Sequence, residues 1–188
     1  MENQKDEVVI RTAVFSDLKS IVELTEKEFR SASIDAKVED MLGGTPWIET
    51  KAAMLKNELE KNPDGCFVAV MGGEIVGYIT TVIVRIASRG VIANLAVSSK
   101  LQGRGIGRKL IGGAVDYFRG LGLRQAKIET LASNQAGLHL YPSFGFREVE
   151  RQVHYVMPLT QPGIAGTKSE TRISKSDLSD ESETNSNL

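Results

Sequence analysis

Apolar residues recur along this 188-residue chain with two different periods, and the switching between them predicts a domain of mixed strands and helices. Val8 to Arg11 reads as a short strand, and Ser16-Asp17 caps a helix whose Leu18, Ile21, Val22 and Phe29 fall at helical spacing. Residues 31–45 read as irregular and end in Gly43-Gly44; a second helix follows from Pro46, at its first position, to about Leu59. Cys66 to Val70 and Ile75 to Val84 flank Met71-Gly72-Gly73-Glu74, a hairpin turn, and Val91 to Val97 supplies a third strand after Ser88-Arg89-Gly90.

The period then returns to that of a helix, with Ile106, Leu110, Ile111, Ala114, Val115 and Phe118 on one face and a stop at Gly120 to Gly122. A strand over Gln125 to Leu131, a helix from Gln135 to about Phe144, and closing strands near Arg147–Glu150 and Val153–Met157 complete the pattern. A meander followed by strand-helix-strand implies an α/β (α+β) fold. Its central sheet is mixed and mostly antiparallel, of about six to seven strands, with helices on both faces.

Composition narrows the picture. With 41% hydrophobic residues the chain can bury one sizeable core, which we place in residues 1–160. From Gln161 onward aromatic residues vanish and Ser, Thr, Asp, Glu and Asn dominate, so residues 161–188 read as a disordered acidic tail. Twenty-three basic against 24 acidic residues leave a net charge of −1, which argues against nucleic acid as a partner. No run of 18 apolar residues occurs and no apolar stretch follows the charged N-terminus, so a cytoplasmic protein without membrane attachment is expected. A single cysteine, Cys66, excludes an internal disulfide, and its apolar surroundings mark it as packing. His139 and His154 lack a third ligand, so no metal is expected.

The chemistry concentrates between the third strand and the helix that follows it. Gln102-Gly103-Arg104-Gly105-Ile106-Gly107 offers bare backbone amides where a helix begins, an arrangement that binds anions. The three glycines let an anion approach and permit backbone angles closed to other residues. Lys100, Arg104, Arg108 and Lys109 place positive charge where a helix start ordinarily carries Asp or Glu. A doubly charged pyrophosphate suits such a loop. Neither common nucleotide motif fits: the third glycine of a dinucleotide fingerprint would fall on Arg108, and a P-loop would need Lys then Ser or Thr after Gly107.

Gln102, Gly105 and Gly107 match the acyl-CoA pyrophosphate loop of the GCN5-related N-acetyltransferase (GNAT) family, whose pattern is Gln or Arg, two residues, Gly, one residue, then Gly or Ala. Asn94-Leu95-Ala96-Val97 resembles the strand before that loop, and Asn134, Leu140, Tyr141 and Gly145-Phe146 resemble the family's downstream helix. The resemblance covers most of residues 8–158 and is most specific over 91–146. It implies a GNAT fold and acetyl-CoA as co-substrate. The pyrophosphate would lie on Gln102, Gly103, Arg104, Gly105, Ile106, Gly107 and Arg108. The pantetheine arm would run along the backbone of Leu95, Ala96 and Val97, where the strand splays from its neighbour, with the Val97 amide toward the oxyanion.

The resemblance also implies that Asn134 both caps its helix and bonds the pantetheine, and that Tyr141 donates a proton to the departing thiolate. An ordinary phenol pKa of about 10 lies near that of a thiol leaving group. Pro142 follows directly and removes a hydrogen bond to Leu138, so a helix that kinks or ends at Tyr141 is an open alternative. Glu129 precedes Asn134 by five residues and Tyr141 by twelve, a spacing similar to that of acetyltransferases acting on ribosomal-protein N-termini, which implies a general base. By polarity alone, a solvated carboxylate paired with Lys127 fits Glu129 equally well. Phe29 and Trp47 are expected either to shape the acceptor pocket or to fill the core.

Two function classes remain. One is an acetyl-CoA-dependent N-acetyltransferase working by direct attack of a primary amine in a ternary complex. The other is a non-catalytic acyl-CoA sensor or scaffold. The acceptor is open among protein N-termini, lysines, polyamines and small amines, and a homodimer is the default for a small enzyme of this kind.

Overall fold

A computed structural model describes residues 7–159. Five strands, β1 (Val9–Thr12), β2 (Phe67–Met71), β3 (Glu74–Val84), β4 (Arg89–Val97) and β5 (Gln125–Ile128), form one sheet in sequence order. β1 to β4 run antiparallel, and β5 adds in parallel to β4. Helices α1 (Leu18–Glu28), α2 (Ile34–Leu42) and α3 (Trp47–Lys61) occupy the first connection, α4 (Ile106–Gly120) crosses between β4 and β5, and α5 (Gln135–Phe144) follows β5.

Period-2 alternation divides the core between two faces. Val68 and Tyr78 join Ile21, Leu24, Leu55 and Leu59 of α1 and α3. Their strand neighbours Ala69 and Ile79 join Ile106, Leu110, Ile111, Ala114 and Phe118 of α4. Helices therefore cover both faces, as the apolar patterns of these segments require. Cys66 is fully buried in the α1/α3 layer, and burial pushes its thiol up to about 11. We expect Cys66 to resist thiol reagents at pH 8 in native protein and to react within minutes in denaturant, as mass spectrometry of the adduct would show.

Three expectations are corrected. First, residues 31–45 contain α2, whose N-cap Ser33 accepts a hydrogen bond from the Ala36 amide at 3.3 Å. Second, β5 ends at Ile128 instead of reaching Leu131, because β4, its strand partner among the described residues, leaves it there. β4 has an unpaired extra residue, Ala93: Thr80 pairs with Asn94 but Thr81 with Ile92, and the β4–β5 ladder stops at Ile92–Ile128. Such a bulge turns the strand and shifts which side chains face which layer. Third, the sheet has five strands among the described residues, not six or seven. No ladder reaches Arg147–Glu150 or Val153–Met157, where Val149 and Tyr155 are 94% and 92% exposed. Their apolar alternation marks what a strand would bury, but a strand exists only through paired backbone groups. The polar segment from Gln161 lies outside the described residues, as does the charged N-terminus through Asp6. Among the described residues no helix is long and apolar enough to cross a membrane.

Candidate active site

The parting of β4 from β5 after Ile92 opens a cavity of about 520 Å3. Its floor is the second half of β4, and the ladder decides which backbone groups face it. The Ser98 amide donates to the Val76 carbonyl at 2.8 Å, so by antiparallel alternation Ala96 exchanges hydrogen bonds with Tyr78. Leu95 and Val97 therefore turn their N–H and C=O groups toward the open side. Of the three residues expected to meet a pantetheine arm, Ala96 has its backbone committed to β3 and its side chain buried in the α1/α3 core. Leu95 and Val97 are the ones with backbone to offer.

At one end of the cavity stands the glycine loop. Gly103 and Gly105 have φ of +80° and +76°, so both require the left-handed region that favours glycine. Gly105 is the N-cap of α4, and no acidic residue occupies the first turn, leaving the positive end of the helix uncompensated. Gly107 has a different role: a Cβ there would meet Leu140 Cδ2 at 3.2 Å, so its small size lets α4 and α5 approach. Gln102, Gly103, Gly105, Ile106, Gly107 and Arg108 all line the cavity, whereas Arg104 does not. Arg108 donates to Ser143 Oγ at 2.8 Å and lies over the Phe144 ring at 5.6 Å, which ties the start of α4 to the end of α5.

The remaining expected residues come from β5 and α5. Asn134 caps α5 by accepting from the Gly137 amide at 3.2 Å, while its Nδ2 donates to Thr130 Oγ1 at 2.9 Å. Asn134→Ala should lower unfolding stability by about 1 kcal/mol in a chemical denaturation series. If the residue also bonds a bound arm, acetyl-CoA affinity falls with it in calorimetry. Tyr141 lines the cavity, and the helix continues through Pro142 to Phe144. A proline so near the C-terminus removes one bond without ending the helix, which Gly145 closes at φ +106°. Gly137 makes room for the tyrosine: a Cβ there would sit 3.0 Å from Tyr141 Cε2. Phe146 packs edge-on against the ring at 6.4 Å. Burial raises the Tyr141 phenol above its ordinary pKa, with the Thr130 hydroxyl acting in the opposite direction.

Glu129 lies in the same wall, exposed, one residue past the end of β5. Lys127 Nζ is 2.6 Å from its Oε1, so the ion pair anticipated from their shared strand face is present. Phe29 lines the cavity, but Trp47 is buried elsewhere, beside α2. Sequence reasoning passed over Glu58, whose carboxylate is buried behind the cavity wall. The available signal was a charge at a core-facing position of α3, beside Leu55 and Leu59. Among the described residues no cluster of His, Cys, Asp and Glu could hold a metal.

The sheet thus splits at its parallel edge, with a glycine-cradled helix start at one end of the gap. The acetyltransferase (GNAT) family model matches residues 18–146, and the chain belongs to that family. It is 34% identical over 100 residues to the N-alpha-acetyltransferase MAK3 of Arabidopsis thaliana, covering 50% of this chain and 51% of that one. It is 28% identical over 118 residues to the ribosomal protein bS18-alanine N-acetyltransferase of Escherichia coli, covering 63% of this chain and 76% of that one. The chain thus spans about half the length of the Arabidopsis relative and 27% of the human N-alpha-acetyltransferase 30. Among solved structures, the PaiA N-acetyltransferase of Thermoplasma acidophilum in complex with coenzyme A superposes with a TM-score of 0.62 at 18% identity, over 78% of this chain and 93% of that one. That likeness carries the fold alone.

Proposed function

We propose that this protein is an acetyl-CoA-dependent N-acetyltransferase that transfers the acetyl group to a primary amine within a ternary complex. The observation that carries the reading is the coincidence of the β4–β5 split with the helix start at Gly105. The cavity fits the co-substrate chemically: free amides and an uncompensated helix end for the pyrophosphate, and open backbone groups of Leu95 and Val97 for the amide-bearing arm. Bound there, acetyl-CoA supplies an activated carbonyl. The Val97 N–H meets the oxygen of that carbonyl as charge develops. Arg108, held against Ser143 and Phe144, adds positive charge from the cavity wall, and Arg104 adds charge from outside it.

In the transfer, the amine nitrogen bonds to the carbonyl carbon as the carbon–sulfur bond breaks. Tyr141 gives its phenolic proton to the departing sulfur, and Glu129 takes the proton released by the amine, directly or through water. The acceptor we favour is the α-amino group of a polypeptide. Two features support it: the spacing of Glu129, Asn134 and Tyr141, and the named activities of the Arabidopsis and Escherichia coli relatives. An α-amine, with an ordinary pKa of about 8, needs only a modest base. The test is release of free CoA across peptides with free α-amino termini, the same peptides N-acetylated, polyamines and lysine-containing peptides. Turnover confined to free α-amines is the expected result. Tight acetyl-CoA binding with no turnover on any amine would make the protein a sensor instead.

A further inference from the structure

The apolar core contains a polar cluster, around Glu58 and Asn94, that the chemistry above does not use. Glu58, on the core-facing side of α3, is 7% exposed, and Asn94, in the cavity wall on β4, is 3% exposed. Asn94 Nδ2 donates to Glu58 Oε2 at 2.7 Å and lies 2.9 Å from Thr80 Oγ1, and the Thr80 hydroxyl donates to the same carboxylate oxygen at 2.6 Å. With Nδ2 held by these two partners, the remaining polar atom of the amide is Oδ1. It is the one buried side-chain oxygen or nitrogen without a hydrogen-bond partner among the described residues.

A cluster kept only for packing would be better replaced by apolar side chains. A buried carboxylate carries a large desolvation cost that a hydrophobic group of similar volume avoids. An orphaned carbonyl oxygen adds a further penalty. Burial accordingly raises the Glu58 carboxyl above the usual range, opposed by Thr80, by the Lys51 charge and by Asn94. The location supplies the function. Asn94 directly follows the bulge residue Ala93, on the face of β4 turned toward α1 and α3, opposite the α4 layer into which the glycine loop leads. Phe29 and Ser31 border the cavity with it. An amine entering from that side brings N–H donors and needs an acceptor that is already oriented.

We propose that Asn94 binds the acceptor amine, its Oδ1 accepting an N–H and aiming the nitrogen lone pair at the thioester, and that Glu58 is the positioning residue that fixes the amide through Nδ2. This rests on the acetyltransferase reading and adds a determinant of acceptor recognition to it. Glu58 has no proton to move in this scheme. Its requirement is an acceptor oxygen facing Asn94, which glutamine also provides and leucine does not.

The experiment uses the full chain and the panel of peptides with free α-amino termini. Acetyl-CoA affinity comes from calorimetry, and acceptor KM and kcat from CoA release. Asn94→Leu and Glu58→Leu should each raise acceptor KM about tenfold or more, the loss of one buried hydrogen bond to a charged or strongly polar donor. Acetyl-CoA Kd should stay within about threefold. Glu58→Gln should return acceptor KM to near the wild-type value. Where a single variant fails to fold, the double variant Asn94→Leu, Glu58→Met removes the carboxylate together with its amide partner and leaves only the Thr80 hydroxyl of the three. It should fold, bind acetyl-CoA and show the same rise in acceptor KM. Unchanged acceptor KM in folded Asn94→Leu or in the double variant would overturn the proposal, as would a parallel weakening of acetyl-CoA, which is the mark of a purely structural role on β4. Loss of kcat in Glu58→Gln would also overturn it by making Glu58 the base. A wild-type protein that binds no acetyl-CoA would sink the acetyltransferase reading itself, a result seen before any variant is made.

Discussion

Tyr141→Phe should lower kcat about 100-fold or more while leaving acetyl-CoA Kd within about threefold, the size and pattern of a lost general acid. The ring stays: Phe146 still packs against it edge-on, and Gly137 still makes room for it, so the substitution removes only the hydroxyl. The pH dependence carries a second test with a definite sign. Desolvation raises the Tyr141 pKa above its ordinary value, so the acid form persists to higher pH than in a free phenol. The alkaline fall of kcat due to this group should therefore lie above pH about 10. A fall below that, or equal turnover in Tyr141→Phe, would assign the proton to another donor. Glu129 is tested in parallel, because Glu129→Gln keeps the shape of the side chain while removing both the base and the Lys127 ion pair.

The second large effect belongs to the glycine loop. Gly105→Val should weaken acetyl-CoA about thirtyfold or more in calorimetry, by forcing the loop out of the conformation that presents its amides. At φ +76° and ψ 6° a β-branched residue is strongly disfavoured, and the backbone will turn to relieve it. A matched control separates strain from recognition. Gly73 holds a φ of +86° in the β2–β3 turn, where a Cβ would meet nothing within 4 Å, and it has no place in the cavity wall. Gly73→Val should cost stability of the same order and leave acetyl-CoA affinity unchanged. Equal affinities in Gly105→Val and wild type would remove the loop as the anion site.

Much of the architecture was legible because it is local. β1 to β4, α1, α3, α4 and α5 each carry their own period or turn residues, although the Ser16-Asp17 cap expected for α1 is not made, because the Asp17 carboxylate accepts from Arg11 and the Val14 amide instead. α2 escaped notice: it is only nine residues long and buries a single residue, Ala36, so its apolar stripe is faint. The glycine loop was legible for the same local reason, since bare amides and positive charge at a helix start are written in consecutive residues.

Other features were decided between segments. Whether Arg147–Met157 forms strands depends on a ladder partner, and alternation cannot supply one. The bulge at Ala93 lies in the pairing of β4 with β3, and it reverses the facing that alternation assigns across it. That reversal places Asn94 against Glu58, 36 residues away, and leaves Ile92 with the α4 layer.

What the amino-acid order determined by itself is the inventory: the strands and helices, the amide-rich turn, and the residue types able to move a proton or hold an anion, all properties of short stretches of chain. What only the tertiary structure decided is which of these meet. The gap between β4 and β5, the assignment of Leu95 and Val97 rather than Ala96 to its open side, and the carboxylate behind Asn94 arise from register and packing. Those are energies of contact between distant segments, and no window of sequence contains them.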